Sequence, residues 1–209
     1  MPIHFNIKLR NPITELKLTR ENYINNKIKG TIPGAEGLVY SEAWYSEKIK
    51  RALENFDLNM KFFSKLDKNA FQNELNKFLT LNKNFIEVFD LNLYSNQPGY
   101  YLMVLDEYCQ IYVGTTKHIK QRVLQHWSRK MPLDRLIFGK VEDSILAFDS
   151  FKAFDTTRIF AYPTSDTYVD ENVYIEQFSN KFVSNRTTGG LHTNGFYGAV
   201  SKGRTKTLK

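Results

Sequence analysis

One cysteine stands in 209 residues. Alone, Cys109 can close no intramolecular disulfide, and it rules out a multi-cysteine zinc site. No stretch of eighteen or more apolar residues occurs, so no transmembrane helix is expected. Residues 1–10 alternate charged and apolar positions and lack the apolar core of a signal peptide. Internal repeats and low-complexity tracts are missing too. The expectation from these absences is a soluble, cytoplasmic protein. Acidic residues are scarce in two places. Between 115 and 135 six basic residues (Lys117, Lys120, Arg122, Arg129, Lys130, Arg135) face only Asp134, and from 186 to 209 five basic residues face no acid.

What is present supports a folded protein. Apolar residues make up 42% and aromatics 14%, which argues against disorder over most of the length. Lysine and arginine outnumber aspartate and glutamate by 29 to 22, a net charge of +7. A basic surface favours a polyanionic partner, because neutralised phosphates release counterions. The candidates for nucleic-acid contact are Lys117, Lys120, Arg129, Lys130, Arg186, Lys202, Arg204 and Lys206. The end of the chain, residues 201–209, reads as a basic tail that orders only on binding.

Patterning divides the chain. Residues 1–95 read as a mostly helical module. Trp44, Ile49, Leu53 and Phe56 fall at helical spacing over 41–56, and Asp67 is an N-cap for a helix to Leu81 with Phe71, Leu75, Phe78 and Leu79 as its apolar side. Residues 30–37, with Pro33 and Gly34, read as a loop. Turn formers at 95–99 mark a boundary. Beyond it, 100–105 and 110–113 predict a β-hairpin, 117–129 a helix, and 157–162 a strand ended by Pro163. Residues 132–155 read as a short helix and loops. Residues 170–182 read as a helix capped by Asp170. The fold class is therefore α+β, a small antiparallel β-sheet flanked by helices, in a domain over 96–190 that a basic tail over 191–209 follows.

Within this domain the ordered pattern is Gly99-Tyr100-Tyr101, ten residues, Tyr112-Val113-Gly114, then Arg122, His126, Glu171 and Asn185. Arg122 and His126 are i and i+4 neighbours beside the apolar stripe of Ile119, Val123 and Trp127, at the border of core and solvent. Glu171 shares a helix face, within about 40°, with Ile175, Phe178 and Phe182, whereas Glu176 falls about 140° away. A carboxylate on an apolar face needs a partner or a metal. Each residue also has a plainer reading. Arg122 could be a solvated cation, His126 a packing histidine, Glu171 an offset to the helix dipole, the tyrosines strand packing, and Asn185 a turn residue.

The order and spacing of these motifs resemble the GIY-YIG nucleases over about residues 99–185. The resemblance implies a metal-dependent DNA endonuclease. Glu171 would hold one Mg²⁺, with Mn²⁺ able to substitute. Arg122 would grip the scissile phosphate. Tyr101 would orient or deprotonate the attacking water, supported by Tyr112 and His126, and Asn185 would position the phosphate or the site. Tyr100 and Val113 depart conservatively from the family motifs. Gln110 stands where many relatives have lysine; if that lysine helps lower a tyrosine pKa, another basic group must do so here. Duplex DNA is the expected partner and no membrane is. Restriction-like cutting of a palindrome with one site per chain calls for a homodimer or sequential nicks. Two alternatives stay open at this point: a repair or mobile-element nuclease acting on branched or single-stranded nucleic acid, and a non-catalytic nucleic-acid-binding module.

Overall fold

The computed structural model describes residues 1–10, 15–24, 40–166, 171–186 and 207–208. The loop expected at 30–37, the cap Asp170 and the basic residues Lys202, Arg204 and Lys206 lie outside them. A small hairpin, β1 (Ile3–His4) and β2 (Ile7–Lys8), opens the chain. The helices α1 (Arg20–Tyr23), α2 (Glu42–Phe63) and α3 (Lys68–Leu81) follow, then strand β3 (Ile86–Glu87). Next come β4 (Gly99–Leu105), β5 (Gln110–Thr116), α4 (Ile119–Ser128), β6 (Arg158–Pro163) and α5 (Asn172–Ile175). The larger sheet is antiparallel throughout, in the order β3-β6-β4-β5. Among the described residues no helix is long and apolar enough to cross a membrane.

Strand β4 is apolar at nearly every position rather than alternating, because both of its faces are covered. All seven of its residues are buried. Tyr101, Met103 and Leu105 face a core built with Ile119, Val123 and Trp127 of α4 and with Ala52, Phe56 and Phe63 of α2. On the other face Tyr100, Leu102 and Val104 meet Phe71, Leu75 and Phe78 of α3 and Ile175, Phe178 and Phe182 from the segment after β6. Full burial of each Leu, Met or Val contributes roughly 1.5–3 kcal/mol, so the strand is the axis of both cores. The helices of the first 95 residues thus share their apolar faces with the sheet, and β3 adds to its edge.

Several expectations meet their elements with shifted ends. Asp67 caps α3, its carboxylate accepting from the amides of Asn69 (2.8 Å) and Ala70 (3.1 Å). Helix α2 runs on to Phe63 beyond the expected Phe56, and Asn55 and Asn59 lie on its buried face. The hairpin turns through Cys109, whose φ of 50° is left-handed. Residues 132–155 carry four short 3-10 turns. The helix expected over 170–182 is instead a single turn, α5, followed by a 3-10 turn at Asn180–Phe182. Helix α3 explains the break. Glu74 accepts from both the amide and the hydroxyl of Ser179, each at 2.8 Å, and so caps a new turn where a continuous helix would have passed.

The buried asparagine on α2 fixes the segment that leads into the site. Asn59 donates to the carbonyls of Asn55 (2.8 Å) and Ser144 (3.0 Å), and its Oδ1 accepts from the amide of Leu146 (3.2 Å). Replacing Asn59 by alanine strands these groups, and a buried unpaired polar group costs about 1–3 kcal/mol. Asn59→Ala is expected to lower the unfolding free energy by that amount, read as a lower urea midpoint with an unchanged slope. An unchanged midpoint would show that the segment is held elsewhere.

Candidate active site

The backbone of the hairpin explains two of the motif positions. Gly99 has φ of +147°, and a Cβ there would come within 2.1 Å of the carbonyl oxygen of Tyr162 on the neighbouring strand. Gly114 pairs with Tyr101 across the hairpin, and its Cβ would fall 2.3 Å from the Tyr101 hydroxyl. The tyrosine ring therefore lies across Gly114, which only glycine permits.

Helix α4 starts three residues after β5, with the side chain of Thr116 accepting from the amide of His118 at 3.1 Å. Its Ile119, Val123 and Trp127 face the core, which turns Arg122 and His126 toward the sheet margin. His126 is 2% exposed. Its Nε2 lies 2.8 Å from the Tyr101 hydroxyl and its Nδ1 2.5 Å from Oδ1 of Asp149. The second oxygen of Asp149 pairs with Arg129 at 3.0 Å. Phe148 stacks on Tyr112 at 4.3 Å between centroids and meets the His126 ring edge-on.

One pocket joins these residues. Tyr112, Arg122, His126, Asp149, Glu171 and Asn185 line it, with Phe148, Ser184 and Arg186 among the others. Tyr101 is fully buried one layer beneath, behind His126. Glu171 reaches the pocket from the residue before α5, where its carbonyl accepts from Tyr174 and Ile175. Its neighbour at i+4, Ile175, is buried as the helical face requires, but Phe178 and Phe182 reach the core from beyond the helix break. Asn185 brackets Val113, accepting from its amide at 3.1 Å and donating to its carbonyl at 2.8 Å. The side chain thereby continues along β5 the pairing that Val183 makes with Ile111, and holds the 183–185 segment beside the hairpin.

Electrostatics separate the phenols from the imidazole. Burial pushes Tyr112 up to about 12, with Glu171 adding to the rise and Arg122 opposing it. Burial raises Tyr101 well above its ordinary value, again against Arg122. His126 is pulled below the ordinary imidazole value by burial, although Asp149 opposes this. For Asp149, burial works upward, but His126, Arg129 and Arg122 outweigh it and leave the carboxyl below its usual range. At neutral pH the site thus holds neutral phenols, a neutral imidazole and an ionised Asp149.

The basic residues fall into different settings. Lys117 and Lys130 are exposed, and Arg129 is half exposed while bound to Asp149. Lys120 donates to Asn92 (2.8 Å) and Ser95. The Arg186 guanidinium donates to the carbonyls of Arg135, Leu136 and Ile145, and burial pulls it down to about 10. Gln110 is buried and bonds the carbonyls of Cys109 and Lys181, both at 2.8 Å, so this position braces the hairpin end. Asp149, Phe148 and Ser184 are pocket residues that no sequence signal marked. Asp149 sits in a stretch without periodicity, among several other acids.

No protein-family model, curated protein or solved structure matches this chain. Gly114→Ala is expected to push the Tyr101 ring away from His126. Overpacking of this kind costs about 1–3 kcal/mol, and the near-ultraviolet tyrosine signal should change with it. A variant with wild-type stability and spectrum would show that the ring has room to move.

Proposed function

We propose that the protein is a metal-dependent DNA endonuclease of the GIY-YIG type. The observation that carries this reading is the convergence of Tyr112, Arg122, His126, Glu171 and Asn185 on one pocket, with Tyr101 bonded to His126 beneath it. These are the residues that the motif resemblance selects, and they come from four separate parts of the chain. Phosphodiester hydrolysis needs a charge clamp on phosphate, an oriented water and a route for its proton. Arg122 supplies the clamp. Tyr112, in the pocket wall, orients the water. The hydroxyl–imidazole pair of Tyr101 and His126 takes up the proton. Asn185 keeps β5 and the chain end in register around the pocket.

A divalent cation fits this donor set. Glu171 is the pocket carboxylate that the motif resemblance assigns to it, and Asp149 is paired with His126 and Arg129. Mg²⁺ commonly keeps several waters and takes only one or two carboxylates beside substrate phosphate. When bound, such an ion offsets charge developing on the phosphate, with Mn²⁺ able to substitute. Double-stranded DNA is the expected substrate, and the exposure of Lys117, Lys130 and Arg129 leaves them open to contact with its backbone.

Supercoiled plasmid should be nicked or linearised with Mg²⁺ or Mn²⁺ and left intact with EDTA. Glu171→Ala should abolish cutting, and Arg122→Ala should lower it by on the order of 10²–10³-fold. Cutting that survives both changes would overturn the site assignment. Salt-sensitive DNA binding without cleavage in any metal would make the protein a binding module instead. Because His126 accepts a proton only when neutral, the rate should fall as pH drops through its pKa. Burial holds that pKa down, so the acid limb of kcat/KM is expected below the ordinary value of 6.5. A limb at or above that value would remove His126 from the proton route.

A further inference from the structure

We propose that Asp149 is a positioning residue that fixes His126 with its proton on Nδ1, leaving Nε2 to accept from the Tyr101 hydroxyl. The inference deepens the hydrolase reading and rests on it for its kinetic consequence.

The geometry carries the assignment. An ionised carboxylate can only accept, so the 2.5 Å contact of Asp149 Oδ1 with Nδ1 places the imidazole proton there. The other nitrogen is then a bare acceptor, and the Tyr101 hydroxyl at 2.8 Å donates to it. The Asp149 side chain is 14% exposed and that of His126 is 3% exposed, so water does little to dilute the contact. Arg129 pairs with the other oxygen of the carboxylate at 3.0 Å. Its backbone is a 3-10 turn, Phe148–Ser150, in which Ser150 donates to the Ala147 carbonyl at 2.9 Å. Phe148 is stacked on Tyr112, and Asn59 binds the amide of Leu146 just upstream. Two elements distant in sequence, α4 and the 145–150 segment, are thus locked at the carboxylate–imidazole contact.

The proton balance follows. As water attacks phosphorus, its proton is taken up by the Tyr101–His126 pair and ends on Nε2 of His126, the nitrogen that accepts from the Tyr101 hydroxyl. The new P–O bond forms, the bond to the leaving oxygen breaks, and that oxygen is protonated from solvent. His126 is then an imidazolium beside an ionised Asp149, and it returns its proton to solvent before the next turnover. With the opposite tautomer Nε2 would carry hydrogen, and the Tyr101 proton would have no acceptor.

Asp149→Asn preserves shape but removes the charge, and Asp149→Ala removes the group, each compared with wild type by thermal unfolding, plasmid cleavage and histidine ¹⁵N NMR. The His126 signals are assigned from the spectrum of His126→Gln. In the wild type the Nδ1–H form is expected. In Asp149→Ala the Nε2–H form should appear, and in Asp149→Asn the preference should weaken. In both variants kcat should fall by on the order of 10²-fold while KM stays near wild type. Folded variants that keep the Nδ1–H form and the wild-type kcat would overturn the inference and leave the nuclease reading standing. If the wild type cuts no DNA, the tautomer comparison still decides: a change in Asp149→Ala supports the positioning role, and no change refutes it.

Discussion

The contact between the Tyr101 ring and Gly114 sets the geometry on which the pocket is built. With no Cβ at 114, the ring crosses the neighbouring strand at van der Waals range and its hydroxyl is carried toward α4. The helix has little freedom of its own. It starts directly after β5, and the amide of Ile119 donates to the carbonyl of Gln97 at 3.0 Å, tying its first turn to the segment that enters β4. One hairpin and one helix therefore meet with their separation prescribed at both ends. The depth of His126 and its distance from the phenol follow from backbone placement, with little left to side-chain choice.

That placement comes at a cost in stability. Tyr101, His126 and Asp149 are taken out of water together, and a buried charge left without a partner costs several kcal/mol. The site answers with mutual pairing: phenol to imidazole, imidazole to carboxylate, carboxylate to Arg129. Apolar neighbours supply the burial that stabilises the rest. Phe148, Ile119, Val123 and Trp127 belong to the larger core, continuous with β4 and α2. The two buried bonds of Asn185 to Val113 serve the same end, extending along β5 the parallel pairing that Ile111 makes with Val183.

Much of this was legible from local chemistry. The hairpin, α3 with its Asp67 cap, and the face of α4 that carries Arg122 and His126 all follow from periodicity and capping, which depend on near neighbours. The convergence of the motif residues was implied by resemblance and has a physical basis that can be stated for the glycines. What could not be read depends on contacts between distant positions. The helix over 170–182 breaks because Glu74, over a hundred positions earlier, captures Ser179. Arg186 looked like a phosphate contact by charge, yet three carbonyls take its guanidinium. Asp149 lay in an aperiodic stretch where nothing local separates it from Asp143 or Asp155. Asp155 shows the same difficulty from the other side, since it binds the amides of Leu18 and Lys152 and the Tyr108 hydroxyl, far from the pocket.

The two pocket carboxylates are not equivalent, and the difference bears on when the site becomes complete. Asp149 has committed both oxygens within the protein. Coordinating a cation would cost it the hydrogen bond that orients His126. Among the described residues no group of three or more His, Cys, Asp or Glu side chains forms a ready cage. A cation at Glu171 would then draw most of its ligands from water and from the phosphate itself. For a hard ion such as Mg²⁺, which gives up water reluctantly, affinity in such a site is small until phosphate arrives. If the proposed reading holds, Arg122 in the same pocket would meet the charge that an arriving phosphate brings. On the proposed reading, substrate, cation and clamp would assemble together around the preformed cluster of Tyr101, His126 and Asp149.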